Sequence, residues 1–173
     1  GFTIFWRDYE IIGHPVATEH TMYSTPDKLW QLAQERNLGA KDKDGQSWDK
    51  NFTAWKFKDS STPGSVSAVS FSFWSGYKEY DVRWTWDTES KLWKRENNGV
   101  PHTDLDNNEQ IKAANVIIQF TRERALGDPE KHLLYTTTGS GNALIFQNGN
   151  VTQGTWKKKD RTNRTQFFDN KGQ

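Results

Sequence analysis

One short segment of the chain concentrates side chains that can do chemistry. Gly99-Val100-Pro101-His102-Thr103-Asp104-Leu105-Asp106 brings one histidine and two carboxylates together where glycine and proline indicate a loop. Loops held between strands are common places for functional residues. His102 and Asp104 could bind a metal ion together, or Asp104 could orient His102 for acid–base catalysis. The alternative is structural, with a carboxylate capping the next turn and His102 hydrogen bonding to the backbone.

Residues elsewhere in the chain could complete such a site. His20 lies just ahead of a predicted helix and is a candidate second ligand or proton-transfer partner for His102. Arg95 ends a predicted strand that leads into the loop, and its guanidinium suits an anionic ligand. Asn115 begins a predicted buried strand, where we expect it to hydrogen bond to the loop or to line a pocket. If these residues form one site, His20 and His102 must lie close together although they are distant in sequence.

The candidate roles overlap because several chemistries use the same side chains. His20, His102 and Asp104 are the candidate metal ligands, and the same three residues with Arg95 are the candidate catalytic residues. A divalent ion held by such groups would supply a hydroxide nucleophile at neutral pH. The sequence does not indicate that a cofactor is required. A divalent metal ion is the cofactor that these residues could hold.

Two tryptophans point to a binding alternative. Trp84 and Trp86 share one face of a predicted strand because strand side chains alternate with a period of two. A flat tryptophan face can stack on sugars or bases. The alternative for both rings is that they fill the core.

The elements that must position these residues follow an α+β pattern. Thr25 and Pro26 have the preferences of an N-cap and a first helical residue, so they predict a helix that begins at Pro26. Alternation over residues 81–86, a turn, and a return over 92–95 predict a β-hairpin. We predict one early helix followed by a mainly antiparallel, aromatic-rich β-sheet region.

The composition excludes several classes of protein and site. The 173 residues carry 23 Lys and Arg against 22 Asp and Glu, and this net charge of +1 argues against a nucleic-acid partner. There is no cysteine, which excludes disulfides, a thiolate nucleophile and cysteine-ligated metals. Nine Trp, ten Phe and five Tyr predict a folded domain with an aromatic core.

The chain is predicted to contain two parts. Residues 59–65 include Pro63 and Gly64 and are the best candidate for a linker. Residues 1–60 are expected to be the end of an N-terminal α/β subdomain. Residues 66–173 are expected to be a C-terminal, mainly β subdomain that carries the Pro-His-Thr-Asp loop.

Several motifs, in this order along the chain, resemble the YerB-like bacterial lipoproteins, a family built around a domain of unknown function. The motifs are residues 19–25 (EHTMYST), 93–95 (WKR), 99–104 (GVPHTD), 110–111 (QI), 115–118 (NVII), 139–143 (GSGNA) and 154–158 (GTWKK). The resemblance implies that His20, Arg95, His102, Asp104 and Asn115 form one site. It also implies a longer protein, with a lipid-attachment signal ahead of residue 1 and a final strand after residue 172.

The resemblance turns these possibilities into two functional hypotheses. The first is an extracytoplasmic, non-enzymatic binding or scaffold domain of the cell envelope, membrane-anchored or secreted, with a cell-wall glycan or an envelope protein as partner. Any membrane association would come only from a lipid anchor that this chain lacks. The second is a metal-assisted hydrolase that acts on an envelope polymer or a phosphoester.

Overall fold

The chain separates into two compact units, residues 1–58 and residues 59–173. This computed structural model describes residues 4–42, 44–47, 49–50, 52, 54 and 62–172. Most of the predicted linker over 59–65 is described, but its residues 59–61 lie outside these ranges. No helix within the described ranges is long and apolar enough to cross a membrane.

The first unit holds a small sheet ahead of its helix. Strands β1 (Trp6–Arg7) and β2 (Met22–Tyr23) pair in antiparallel register, with Trp6 opposite Tyr23. A 3-10 turn over Thr18–Thr21 leads into β2, and the Oγ1 of its buried Thr21 donates to the carbonyl oxygen of Thr18 at 2.7 Å. These two short strands precede the helix, so the predicted early helix is not the first element of the described chain.

The helix α1 (Pro26–Glu35) begins where the sequence predicts. The Oγ1 of Thr25 accepts a hydrogen bond from the backbone N–H of Lys28 at 3.3 Å, as an N-cap residue does. Beyond the helix, Asn37 has a φ of 54°, a left-handed conformation that often follows a helix C-terminus. The start of this helix is therefore encoded by adjacent residues.

The second unit begins with an antiparallel sheet around the predicted hairpin. Its strands are β3 (Ala68–Ser72), β4 (Asp81–Asp87), β5 (Leu92–Asn97), β6 (Val100–Pro101) and β7 (Lys112–Ala113). Strands β3 to β6 follow one another in order, and β7 also pairs with β5. Trp86 lies opposite Trp93, which confirms the hairpin.

A second antiparallel sheet follows in the same unit. Its strands are β8 (Asn115–Gln119), β11 (Gly139–Gln147), β12 (Asn150–Lys158) and β13 (Gln166–Asp169). They lie side by side in the order β13-β12-β11-β8. Between β8 and β11, β9 (Glu123–Ala125) and β10 (Leu133–Tyr135) pair with each other as a separate two-stranded sheet. The overall class is α+β with antiparallel sheets, as predicted.

The core of the second unit joins its two larger sheets through aromatic rings. Trp93 of β5, Val116 of β8 and Phe146 of β11 are buried together. The ring centroids of Trp93 and Phe146 lie 5.8 Å apart at an interplanar angle of 77°, an edge-to-face arrangement. Strand β5, which carries Trp93, is also the strand that carries Arg95.

Candidate functional site

Arg95, His102 and Trp84 meet at one place on the first sheet of the second unit. Arg95 lies directly opposite Trp84 in the β4–β5 pair, so the two side chains share a face of the sheet. The Arg95 guanidinium carbon lies 5.9 Å from the centroid of the Trp84 ring, within the range of a cation–π contact. An Nη1 atom of Arg95 contacts Nδ1 of His102. All three residues are half-buried.

Backbone hydrogen bonds hold this cluster in place. The Arg95 N–H donates to the Ile111 carbonyl oxygen at 2.9 Å. The Arg95 carbonyl oxygen accepts from the His102 N–H at 3.0 Å and from Nε2 of Gln110 at 2.9 Å. A two-residue turn makes this possible, because Asn98 and Gly99 both have positive φ, at 48° and 76°, as a type I′ hairpin requires.

The contact between Arg95 and His102 involves one nitrogen of the imidazole, Nδ1. A guanidinium has only donors, so Nδ1 of His102 must be the acceptor. A metal ion at Nδ1 would have to displace a positive group, and two positive charges at that atom repel each other.

Asp104 makes local contacts within the loop. Its Oδ1 accepts a hydrogen bond from the Asp106 N–H at 2.8 Å, and its own N–H donates to the Glu109 carbonyl oxygen at 2.8 Å. The side chain is exposed. These contacts match the structural alternative, in which a carboxylate caps the turn; a catalytic or metal-binding role for Asp104 stays a prediction.

Asn115 and His20 belong to other elements than the cluster of Arg95, His102 and Trp84. Asn115 is exposed at the first position of β8, opposite Gln147. His20 belongs to the first unit, where its side chain is exposed and its N–H donates to the Ala17 carbonyl oxygen at 2.9 Å. A site shared by His20 and His102 stays a prediction.

Trp84 and Trp86 both contribute to the core. They are half-buried and pack against the cluster of Trp93, Val116 and Phe146. The Trp86 ring centroid lies 5.1 Å from that of Trp93. This packing supports the core-filling alternative, and a role in ligand stacking stays a prediction for both.

The connection between β3 and β4 carries exposed aromatic rings that were not among the candidate binding residues predicted from the sequence. This aromatic patch consists of Phe73, Trp74, Tyr77 and Tyr80. Trp74 and Tyr80 stand edge to face with centroids 5.0 Å apart, and Tyr77 lies 6.5 Å from Tyr80. Trp74 is 40% exposed and Tyr77 is 57% exposed. The dense run of aromatic residues around Gly76 was the signal available in the sequence.

A second group of possible metal ligands lies in the turn between β9 and β10. Ligand atoms of Asp128, Glu130 and His132 lie within 4.8 Å of one another. The His132 N–H donates to Oδ1 of Asp128 at 2.9 Å, and Nδ1 of His132 contacts Oδ2 of the same carboxylate. The hydrogen bond with the His132 side chain is the main cause that lowers the pKa of Asp128. These contacts account for the positions of the Asp128 and His132 side chains.

Residues 69–173 match the model of the C-terminal domain of DUF3048, a protein of unknown function. The chain belongs to the DUF3048 family. The matched range of this DUF3048 domain includes the aromatic patch and the cluster of Arg95, His102 and Trp84. Comparison with curated proteins found no match.

The fold of this DUF3048 chain is similar to the crystal structure of the YerB protein from Bacillus subtilis. The TM-score is 0.67 at 19% sequence identity, and the similarity covers 95% of this chain and 53% of that one. The chain thus spans about half the length of the YerB structure. The predicted resemblance to a YerB-like domain of unknown function is confirmed.

Proposed function

We propose that this DUF3048 chain is a non-enzymatic binding module of the bacterial cell envelope and that its partner is a cell-wall glycan. The aromatic patch is the observation that supports this function. Sugar rings present apolar C–H faces and polar edges, and exposed Trp and Tyr offer a flat apolar surface with a polar group at its end. Clusters of exposed apolar residues often mark interaction sites.

The arrangement of the rings supports a glycan as ligand. The rings form a continuous row, with centroids 5.0–6.5 Å apart between neighbours, in the order Phe73, Trp74, Tyr80 and Tyr77. Rings that brace one another are already ordered, so binding loses little side-chain entropy. The resemblance to YerB-like lipoproteins supports a location outside the cytoplasm.

Retention on purified, protein-free cell wall tests the proposal. We expect the wild-type chain to be retained, and soluble glycan fragments to release it. Trp74→Ala with Tyr77→Ala should weaken retention about tenfold or more, because exposed aromatic anchors dominate such surfaces.

Trp30→Ala is the matched control for this experiment. Trp30 lies on α1 and is 63% exposed, but it is not part of the aromatic patch. Its loss should leave retention unchanged. Equal retention of the patch variant and the wild type, or no retention of either, would contradict the proposal; binding to unstripped envelopes alone would instead indicate a protein partner.

The metal-assisted hydrolase is the weaker candidate on this geometry. Arg95 contacts Nδ1 of His102, which leaves only Nε2 of that ring to bind a metal ion, and Asp104 accepts a backbone hydrogen bond. Metal analysis of protein purified without chelator or polyhistidine tag tests it. Stoichiometric zinc, manganese or calcium that disappears in His102→Ala would favour the hydrolase.

A further inference from the structure

Three neighbouring cations on β4 and β5 differ in how their charge is balanced. Arg83 lies 3.9 Å from a carboxylate oxygen of Glu96, and Lys94 lies 2.5 Å from one of Asp87. Among the residues that the structure describes, no carboxylate lies within ion-pair distance of Arg95. Its side chain is nevertheless half-buried.

The sheet geometry explains why Arg95 lacks such a partner. Side chains alternate along a strand, so Arg95 faces away from its neighbours Lys94 and Glu96. On its own face it lies opposite Trp84, which offers a π surface but no negative charge. A partly desolvated cation without a counter-ion is unfavourable, and binding an anion would relieve that cost.

The guanidinium is also held in a defined position. His102 accepts one of its N–H donors, and the Trp84 ring lies at 5.9 Å. The backbone on either side is fixed by the hydrogen bonds to Ile111, His102 and Gln110. A guanidinium has five N–H donors arranged as a fork that fits the oxygens of a carboxylate or a phosphate. Since His102 uses one, the others are available to a ligand.

We propose that Arg95 is the centre of a binding site for a small oxyanion, a carboxylate or a phosphate, and that His102 positions its guanidinium. This site uses different side chains from the aromatic patch. Either proposal can therefore fail while the other stands.

Titration of the isotope-labelled chain with inorganic phosphate, acetate or chloride, followed by NMR, tests this site. We expect a saturable shift of the Arg95 side-chain N–H signals with phosphate or acetate and none with chloride. Comparing the first two arms identifies which oxyanion the site takes. Arg95→Lys keeps the charge but loses the fork, so it should weaken binding about tenfold.

Arg83→Lys is the matched control, because Arg83 lies on the other face and pairs with Glu96. It should leave the affinity unchanged. His102→Asn keeps a hydrogen-bond acceptor and should retain binding, whereas His102→Ala should weaken it in a chain whose backbone spectrum shows the native fold. No saturable shift, equal shifts with chloride, or equal losses in Arg95→Lys and Arg83→Lys would overturn the proposal.

Discussion

The aromatic residues of β4 and β5 and those of the connection between β3 and β4 are of similar types but have opposite surroundings. Trp93 is fully buried and Trp84 and Trp86 pack beside it, against Val116 and Phe146. The rings of the aromatic patch contact one another and remain exposed. Residue type alone therefore does not decide whether a ring stabilises the fold or is available to a partner.

The difference follows from the backbone that carries each ring. In β4 and β5 the strand alternation directs Trp84, Trp86 and Trp93 to the face that the second sheet covers. The patch lies largely on a connection that includes Gly76, with a φ of 85°, and a short 3-10 turn over Lys78–Tyr80. Among described residues, no ring of the patch belongs to the buried core.

Substitution of Trp93 should have the largest effect on stability. Trp93 is 0% exposed, so Trp93→Ala should lower the free energy of unfolding by about 3–5 kcal/mol. Trp74→Ala removes a partly exposed ring together with its contact to Tyr80, so it should lower the free energy of unfolding by only about 0.5–1.5 kcal/mol. Urea unfolding followed by circular dichroism measures both. Similar losses in the two variants would show that the patch is part of the structural core.

Trp86→Ala separates stability from binding. Its ring is half-buried beside Trp93, so its removal should cost about 1.5–3 kcal/mol. The folded fraction should still be retained on cell wall if the aromatic patch is the binding surface. A folded Trp86→Ala chain that loses retention would support the ligand-binding role predicted for Trp84 and Trp86 from the sequence.

A double-mutant cycle on Trp74 and Tyr80 tests whether the patch is pre-ordered. Their edge-to-face contact at 5.0 Å should give a coupling energy of about 0.5–1.5 kcal/mol. The cycle compares urea unfolding of Trp74→Ala, Tyr80→Ala and the double variant with the wild type. Strictly additive effects would mean that the rings do not brace one another in solution.

Elements defined by adjacent residues were predictable from the sequence. The start of α1 depends on Thr25 and Pro26, and the β4–β5 hairpin depends on alternation around one turn. The short strands β1 and β2 are harder to predict, because each has only two residues and forms by pairing with the other. Such short strands exist only through pairing with a distant segment.

The sequence predicts which residues belong to the candidate site better than it predicts the contacts between them. Arg95 and His102 were singled out by type and motif, but their contact depends on the turn at Asn98 and Gly99 and on the pairing of 102–111 with β5. The exposure of Trp74 depends on which surfaces the second sheet covers. That information is non-local, so periodicity over a few residues does not contain it.

The smallest expected effect concerns the tip of the hairpin that carries the buried rings. Asp87 accepts hydrogen bonds from Lys94, from Oγ of Ser90 at 2.8 Å and from the Glu89 N–H at 3.1 Å. These bonds, that of Lys94 first, lower the pKa of Asp87 from 3.8 to about 2. Because the pKa is lower in the folded state, the carboxylate stabilises the fold above its unfolded pKa, and this contribution is lost as the pH falls towards 2.

Asp87→Asn should therefore flatten the dependence of stability on pH between about 4 and 2 while leaving the core intact. Urea midpoints measured across that interval test this, and Lys94→Gln serves as the control because it keeps the carboxylate but removes its first partner. In Lys94→Gln, NMR titration should find the pKa of Asp87 nearer its ordinary value. An unchanged pH dependence in Asp87→Asn would show that the tip is not coupled to the folding of the buried rings. A large loss of stability at neutral pH in Asp87→Asn would show that the exposed tip stabilises the fold as much as the buried rings do.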